Sequence, residues 1–145
     1  MNEVNLPRIN FRFRIMKTAW VQSMDTARAN REKLAMMGIA TSTDSVRGIS
    51  NKFLQAGFIK RPKNCENCGK ECKPDGHHED YTKPLMLTFL CKKCHFKRHA
   101  YLRSIGKSPS DIFRDMVNSG DPRGLPSLES YSIRFGQERS RIFGQ

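Results

Sequence analysis

Two cysteine pairs with the same internal spacing constrain this chain more than any other feature. Cys65 and Cys68 form one Cys-x-x-Cys pair, Cys91 and Cys94 form a second, and 22 residues separate them. Two intervening residues let both sulfurs of a pair point at one ion from a tight turn. Two such pairs complete a tetrahedron with metal–sulfur distances of about 2.3 Å. The interval is slightly longer than usual for structural zinc but of the same design, so the spacing predicts a structural Zn2+ held by Cys65, Cys68, Cys91 and Cys94. Gly69 follows the second thiolate, where the turn calls for positive φ. A redox Cys-x-x-Cys would lack its flanking strand and helix pattern here and would leave the second pair unexplained. Cys72 is a spare, either a core residue or a substitute ligand. The odd count of five, with no signal peptide, argues against a disulfide framework. Residues 64–103 hold few large apolar side chains, so metal binding would supply much of the folding free energy there.

All four histidines fall inside the same segment, at His77, His78, His95 and His99. His95 and His99 are four apart on a run that reads as a helix and therefore share a face. His77 and His78 precede a run, Tyr81 to Leu90, that alternates as a hairpin. A second divalent ion could sit between the helix pair and His77, leaving His78 beside it to deprotonate a water. The bland alternative has the imidazoles packing around the zinc knuckle, with His95 or His99 supporting a thiolate.

The string CENCGKECKPDGHHEDYTKPLMLTFLCKKCHFKRH, residues 65–99, resembles the HNH (ββα-metal, His-Me finger) endonucleases, particularly their zinc-bearing phage-type members. The resemblance implies Cys65, Cys68, Cys91 and Cys94 as the zinc cage. It implies His77, His95 and His99 as ligands of a catalytic ion such as Mg2+, Mn2+ or Ni2+, and His78 as general base for phosphodiester hydrolysis. The family's middle Asn, which orients the base, should stand about nine residues before His95, where this chain has Met86. A thioether does not replace an amide's hydrogen bonds, although Asp80 or Thr88 could substitute. The stretch from His78 to His95 is also shorter than in the family. A binding-only finger is therefore the first reading and a metal-dependent endonuclease the alternative.

Charge points the same way. Lys and Arg number 26 against 14 Asp and Glu, a net charge of +12, more than solubility requires and suited to a polyanion. The excess leans to residues 1–63, with 12 basic and 4 acidic side chains. Lys92, Lys93, Lys97 and Arg98 on the predicted finger helix would reach phosphates in either reading. Arg8, Arg12 and Arg14 around Phe11 and Phe13 form a basic arm that could lie along a nucleic acid or dock as a strand.

Residues 14–37 carry apolar positions at helical spacing, predicting one or two amphipathic helices, with a break near Ser23 to Thr26 in the second case and an end at Gly38. Ser42 to Ser45 then offer capping oxygens for a helix through Val46, Ile49, Phe53 and Leu54, stopped by Gly57. An extended run, Phe58 to Arg61, follows. Residues 31–62 resemble the helix-turn-helix and opening wing of winged-helix DNA-binding proteins, although Leu34 stands where that family usually has Ala. That resemblance implies that Ser45, Arg47, Asn51 and Lys52 face the groove, with Lys60 and Arg61 at the wing. A plain helical hairpin packed on the finger is the alternative. Beyond the finger, Ser108-Pro109 starts a helix ending at Gly120. A turn-rich stretch precedes a tail with Tyr131, Ile133, Phe135, Ile142 and Phe143, which would dock a partner, self-associate or close the core as a strand.

The expected fold is a small α-rich α+β protein around a central treble-clef or ββα-metal-like module. Its regions are residues 1–63, 64–103 and 104–145. The expected function is zinc-stabilised binding of nucleic acid, with DNA favoured over RNA. The alternatives are an HNH-type endonuclease and a zinc-containing assembly or regulatory subunit. With no run near the roughly 18 apolar residues of a membrane span and no apolar leader in its opening residues, the chain is expected to be cytoplasmic, as a phage protein in a bacterial host would be.

Overall fold

The computed structural model describes residues 11–144, and side chains from residue 22 onward. Among the described residues, five helices and one small sheet follow in order: α1 Phe11–Met36, α2 Thr43–Gln55, β1 Asp75–His77, β2 Thr88–Leu90, α3 Lys92–Ser104, α4 Pro109–Ser119 and α5 Leu128–Phe143. The protein is α+β and rich in helix, and none of these helices is long and apolar enough to cross a membrane. Arg8 lies outside the described residues. Arg12 and Arg14 fall in the first turn of α1, where the backbone alone is described, so the strand alternative for residues 11–14 gives way to helix.

α1 does not break near Ser23 to Thr26. The Thr26 hydroxyl donates to the Gln22 carbonyl at 2.9 Å, which satisfies it inside the helix and lets the turn continue. α2 begins as its sequence predicts: Ser42 accepts from the Ser45 backbone N–H at 3.1 Å. Leu34 is fully buried (0 % exposed) and seeds the main core. Around it pack Ile39, Ala40, Val46, Tyr81, Phe113, Val117 and Leu125, so α1, α2, the loop after β1, and α4 share one apolar centre. The segment after α1 is tied to the start of α5, where Ala40 N–H donates to Pro126 O at 2.9 Å and Leu128 N–H to Gly38 O at 2.8 Å.

Three expectations need correction. Residues 58–61 form no strand and hence no wing. Phe58 turns back onto Phe53 and Phe135 in a three-ring cluster, and the Arg61 guanidinium donates to the Pro74 carbonyl. The hairpin does not run from Tyr81 to Leu90, because β1 pairs with β2 over only three residues each, Asp75 opposite Leu90. Asp80 Oδ1 draws the chain into a turn by accepting from Thr82 N–H at 2.8 Å, and Pro84 has no N–H for a ladder. The tail forms a helix rather than a core-closing strand. Ser127 caps α5, which places Tyr131 and Phe135, four apart, toward α2 and leaves Ile133 exposed. Spacing of three and four, rather than the two-residue alternation, governs this segment.

Candidate metal centres

The four cysteines of the two pairs converge. Their sulfurs all lie within 4.8 Å of one another, with Cys68 and Cys91 sulfurs 3.9 Å apart. Each pair is a knuckle in which the first sulfur accepts the backbone N–H of the second cysteine, Cys65 from Cys68 and Cys91 from Cys94, both at 3.5 Å. Gly69 has a φ of 75°, which lets the chain turn away immediately after Cys68. The second knuckle is the start of α3, with Cys91 as its N-cap, so the positive end of the helix favours a thiolate there. The small cluster of Cys65, Leu90 and Cys91, with Cys72 and Cys94 against it, is the only core of the finger's cysteine end among the described residues.

The protonation energetics fit a ring whose thiols become thiolates together only around a cation. The Cys68 and Cys91 backbone N–H groups lower the Cys65 thiol to about 6, and the Cys94 N–H lowers Cys91. The Asn67 amide favours the Cys94 thiolate, yet hydrogen bonding with neighbouring sulfurs and burial push Cys94 up to about 11. Four negative sulfurs this close do not coexist without a positive ion, and a bound metal removes that conflict. The donor set and its convergence fit a tetrahedral metal ion. Cys72 stands beside the ring without joining it, and burial raises its thiol.

Three of the four histidines form a second ligand group. His77, His95 and His99 have ring nitrogens within 4.8 Å of one another, and the Nε2 atoms of His95 and His99 are 2.9 Å apart. β1 supplies His77, which is 1 % exposed, and successive turns of α3 supply the other two. Burial lowers the pKa of His77 and of His99, and the neighbouring imidazoles lower it further. The neutral form is the one that ligates. Two carboxylates flank the trio. Asp75 Oδ2 lies 3.6 Å from His95 Nδ1, and Glu79 Oε1 lies 3.2 Å from His77 Nε2 while accepting from Arg98 Nε at 2.5 Å. His77 Nδ1 is buried without any hydrogen-bond partner, a polar atom that a cation in this trio would help to explain. The residues present fit a divalent ion with three nitrogen ligands and an outer pair of carboxylates.

His78 belongs to neither group. Its ring is 5 % exposed, stacks on Tyr81 with centroids 5.0 Å apart, and places Nε2 at 2.9 Å from both the Pro84 carbonyl and Ser50 Oγ of α2. A carbonyl only accepts, so Nε2 carries the proton and Nδ1 is the basic nitrogen. Burial keeps the ring neutral by lowering its pKa, against the opposing pull of the Pro84 carbonyl. Met86 is 66 % exposed and takes no part in orienting this ring.

The candidate nucleic-acid contacts divide into committed and free side chains. Arg47 donates to Asp44 and to the Tyr81 hydroxyl, Lys52 lies over the Phe135 ring at 4.5 Å, Arg61 lies over Phe89, and Arg98 is held by Glu79. Asn51, Lys60, Lys92, Lys93 and Lys97 are exposed and make no side-chain hydrogen bond among the described residues. The carboxylates Asp75 and Glu79 escaped notice in the sequence, although Asp75 lies two residues before His77 on β1 and so shares its face, while Glu79 is brought back to His77 by the bend after β1. Ser50, 28 residues before its partner His78, left no such signal. Compared with protein-family models, curated proteins and solved structures, the chain matches none.

Proposed function

We propose that this chain is a zinc-stabilised nucleic-acid-binding protein built on an HNH-like finger, with DNA as the favoured partner. The observation that carries the reading is the four-sulfur ring at the start of α3, flanked on that helix by the exposed Lys92, Lys93 and Lys97. Thiolate ligands in tetrahedral number favour zinc over harder cations. A ring of this kind locks the knuckles and fixes the helix from which the ammonium groups reach phosphates.

A second reading, metal-dependent phosphodiester hydrolysis, is favoured by the His77, His95 and His99 trio, because three protein ligands leave a position open for water or substrate. A divalent ion bound there would supply Lewis-acid stabilisation of charge on a phosphate oxygen. The chain's own residues would do the rest. Asp75, 3.6 Å from His95 Nδ1, would add negative charge beside that ring. Pro84 O and Ser50 hold His78 in the tautomer with a basic Nδ1, the role that the absent Asn would otherwise serve.

Incubating the metal-loaded chain with supercoiled plasmid and Mg2+, Mn2+ or Ni2+, beside a His95→Ala/His99→Ala variant, separates the readings. A salt-sensitive gel shift without nicking supports the binder. Nicking that the double variant loses supports the nuclease. Neither signal would contradict both.

A further inference from the structure

We infer that a phosphodiester backbone lies in the groove over the thiolate ring, held by five lysines. This inference rests on the nucleic-acid reading above and names the surface that performs it. The groove, about 750 Å³, is walled by Lys70 and Lys73 from the turn after the first cysteine pair and by Lys92, Lys93 and Lys97 from α3. No carboxylate lines it. None of the five ammonium groups pairs with an acid among the described residues. The neighbouring cleft of about 450 Å³, which shares Lys97 as its border, is built differently, with Glu66 and Glu79 on its wall and Arg98 paired to Glu79.

Two considerations show that the lysines exceed what the fold needs. Lys92 and Lys93 occupy the first turn of α3, which contains no acidic residue. There the helix dipole disfavours cations. A zinc tetrathiolate carries two net negative charges, which offset two of the five ammonium groups and leave three. Two separate segments therefore contribute cations to one concave surface whose surplus is positive. A polyanion of regularly spaced phosphates, with no requirement for base contact, suits it. Lys70 and Lys73 thereby join the binding surface, while Arg47, Arg61 and Arg98, already engaged within the fold, do not.

Fluorescence anisotropy of the metal-loaded full chain with a labelled 20-base-pair DNA duplex, across a salt series, tests the assignment. The Lys70→Gln/Lys73→Gln/Lys93→Gln variant is expected to bind at least about tenfold more weakly at low salt. Its log–log salt slope should be shallower by about three, roughly one for each phosphate that is no longer neutralised. Metal content should be unchanged, and the matching Lys→Arg triple should bind as the wild type does. A glutamine triple with wild-type slope and affinity would overturn the groove while leaving the nucleic-acid reading intact. Loss of metal in that variant would assign the lysines to the thiolate ring and overturn it too. Competition by polyglutamate equal, charge for charge, to that of DNA would make this a surface for acidic protein. A wild-type chain that binds neither duplex nor single strand would remove the inference and the reading together.

Discussion

His77 and His78 are neighbours in the chain and face different partners, because successive residues of an extended segment point to opposite sides. His77 joins His95 and His99, while His78 bridges α2 and the loop at Pro84. Burial depresses the pKa of His77, His78 and His99 below the ordinary histidine value of about 6.5. Below that value the unfolded chain takes up protons that the folded chain refuses, so their contribution is complete above about pH 6.5. It is lost as pH falls through the lower folded values. Protons compete with metal for the same nitrogens, which adds in the same direction. Thermal denaturation is therefore expected to show a falling Tm between about pH 7 and pH 5 with metal released in parallel; a Tm flat across this window would contradict neutral, buried imidazoles. Gly120 makes a second prediction at this scale. It closes α4 with a φ of 78°, and an added Cβ would come within 2.7 Å of Asn30 Cγ, whose amide is anchored on the Asn118 carbonyl. Gly120→Ala is expected to cost about 1–2 kcal/mol for the backbone alone, and more for displacing Asn30, read as a lowered Tm. The cysteine pairs were legible because ligand spacing is local. The partners of His78 were not, because Ser50 comes from a different helix.

At the scale of elements, α2 and α4 were legible from their caps and apolar spacing. α5 was not, since Tyr131, Ile133 and Phe135 alternate as a strand does while Tyr131 and Phe135 also suit a helix face. The ring contacts of Phe135, 5.3 Å from Phe53 and 5.1 Å from Phe58, decide between the two. They also explain why the run from Phe58 to Arg61 makes no wing: its first residue is held in that cluster. Phe135→Ala is expected to destabilise by about 2 kcal/mol and to expose α5 to limited proteolysis ahead of α4. Cleavage in α5 at the wild-type rate would mean that the rings do not hold the helix. Ser42→Ala removes the hydroxyl that caps α2 and should cost about 1 kcal/mol, measured by denaturant unfolding.

The whole molecule has two centres of different kinds. One is apolar, built on Leu34, Val46, Phe113 and Val117. The other is a ring of sulfur around which few large side chains gather. Tyr81 connects the finger to the apolar centre, packing against Phe113 and accepting from Arg47. Chelation is accordingly expected to speed amide hydrogen exchange in β1, β2 and α3 while α1 and α4 stay protected; uniform loss of protection would show one cooperative unit instead. The claim on which the rest depends is that the cysteine ring holds a metal ion. Elemental analysis of the purified chain, taken with its protein concentration, measures this directly. At least one ion per chain is expected, zinc at the thiolates and retained in the His95→Ala/His99→Ala variant; a second ion that this variant loses would belong to the imidazole trio and favour the hydrolytic reading. A chain purified in the presence of zinc that carries no bound transition metal would contradict the account.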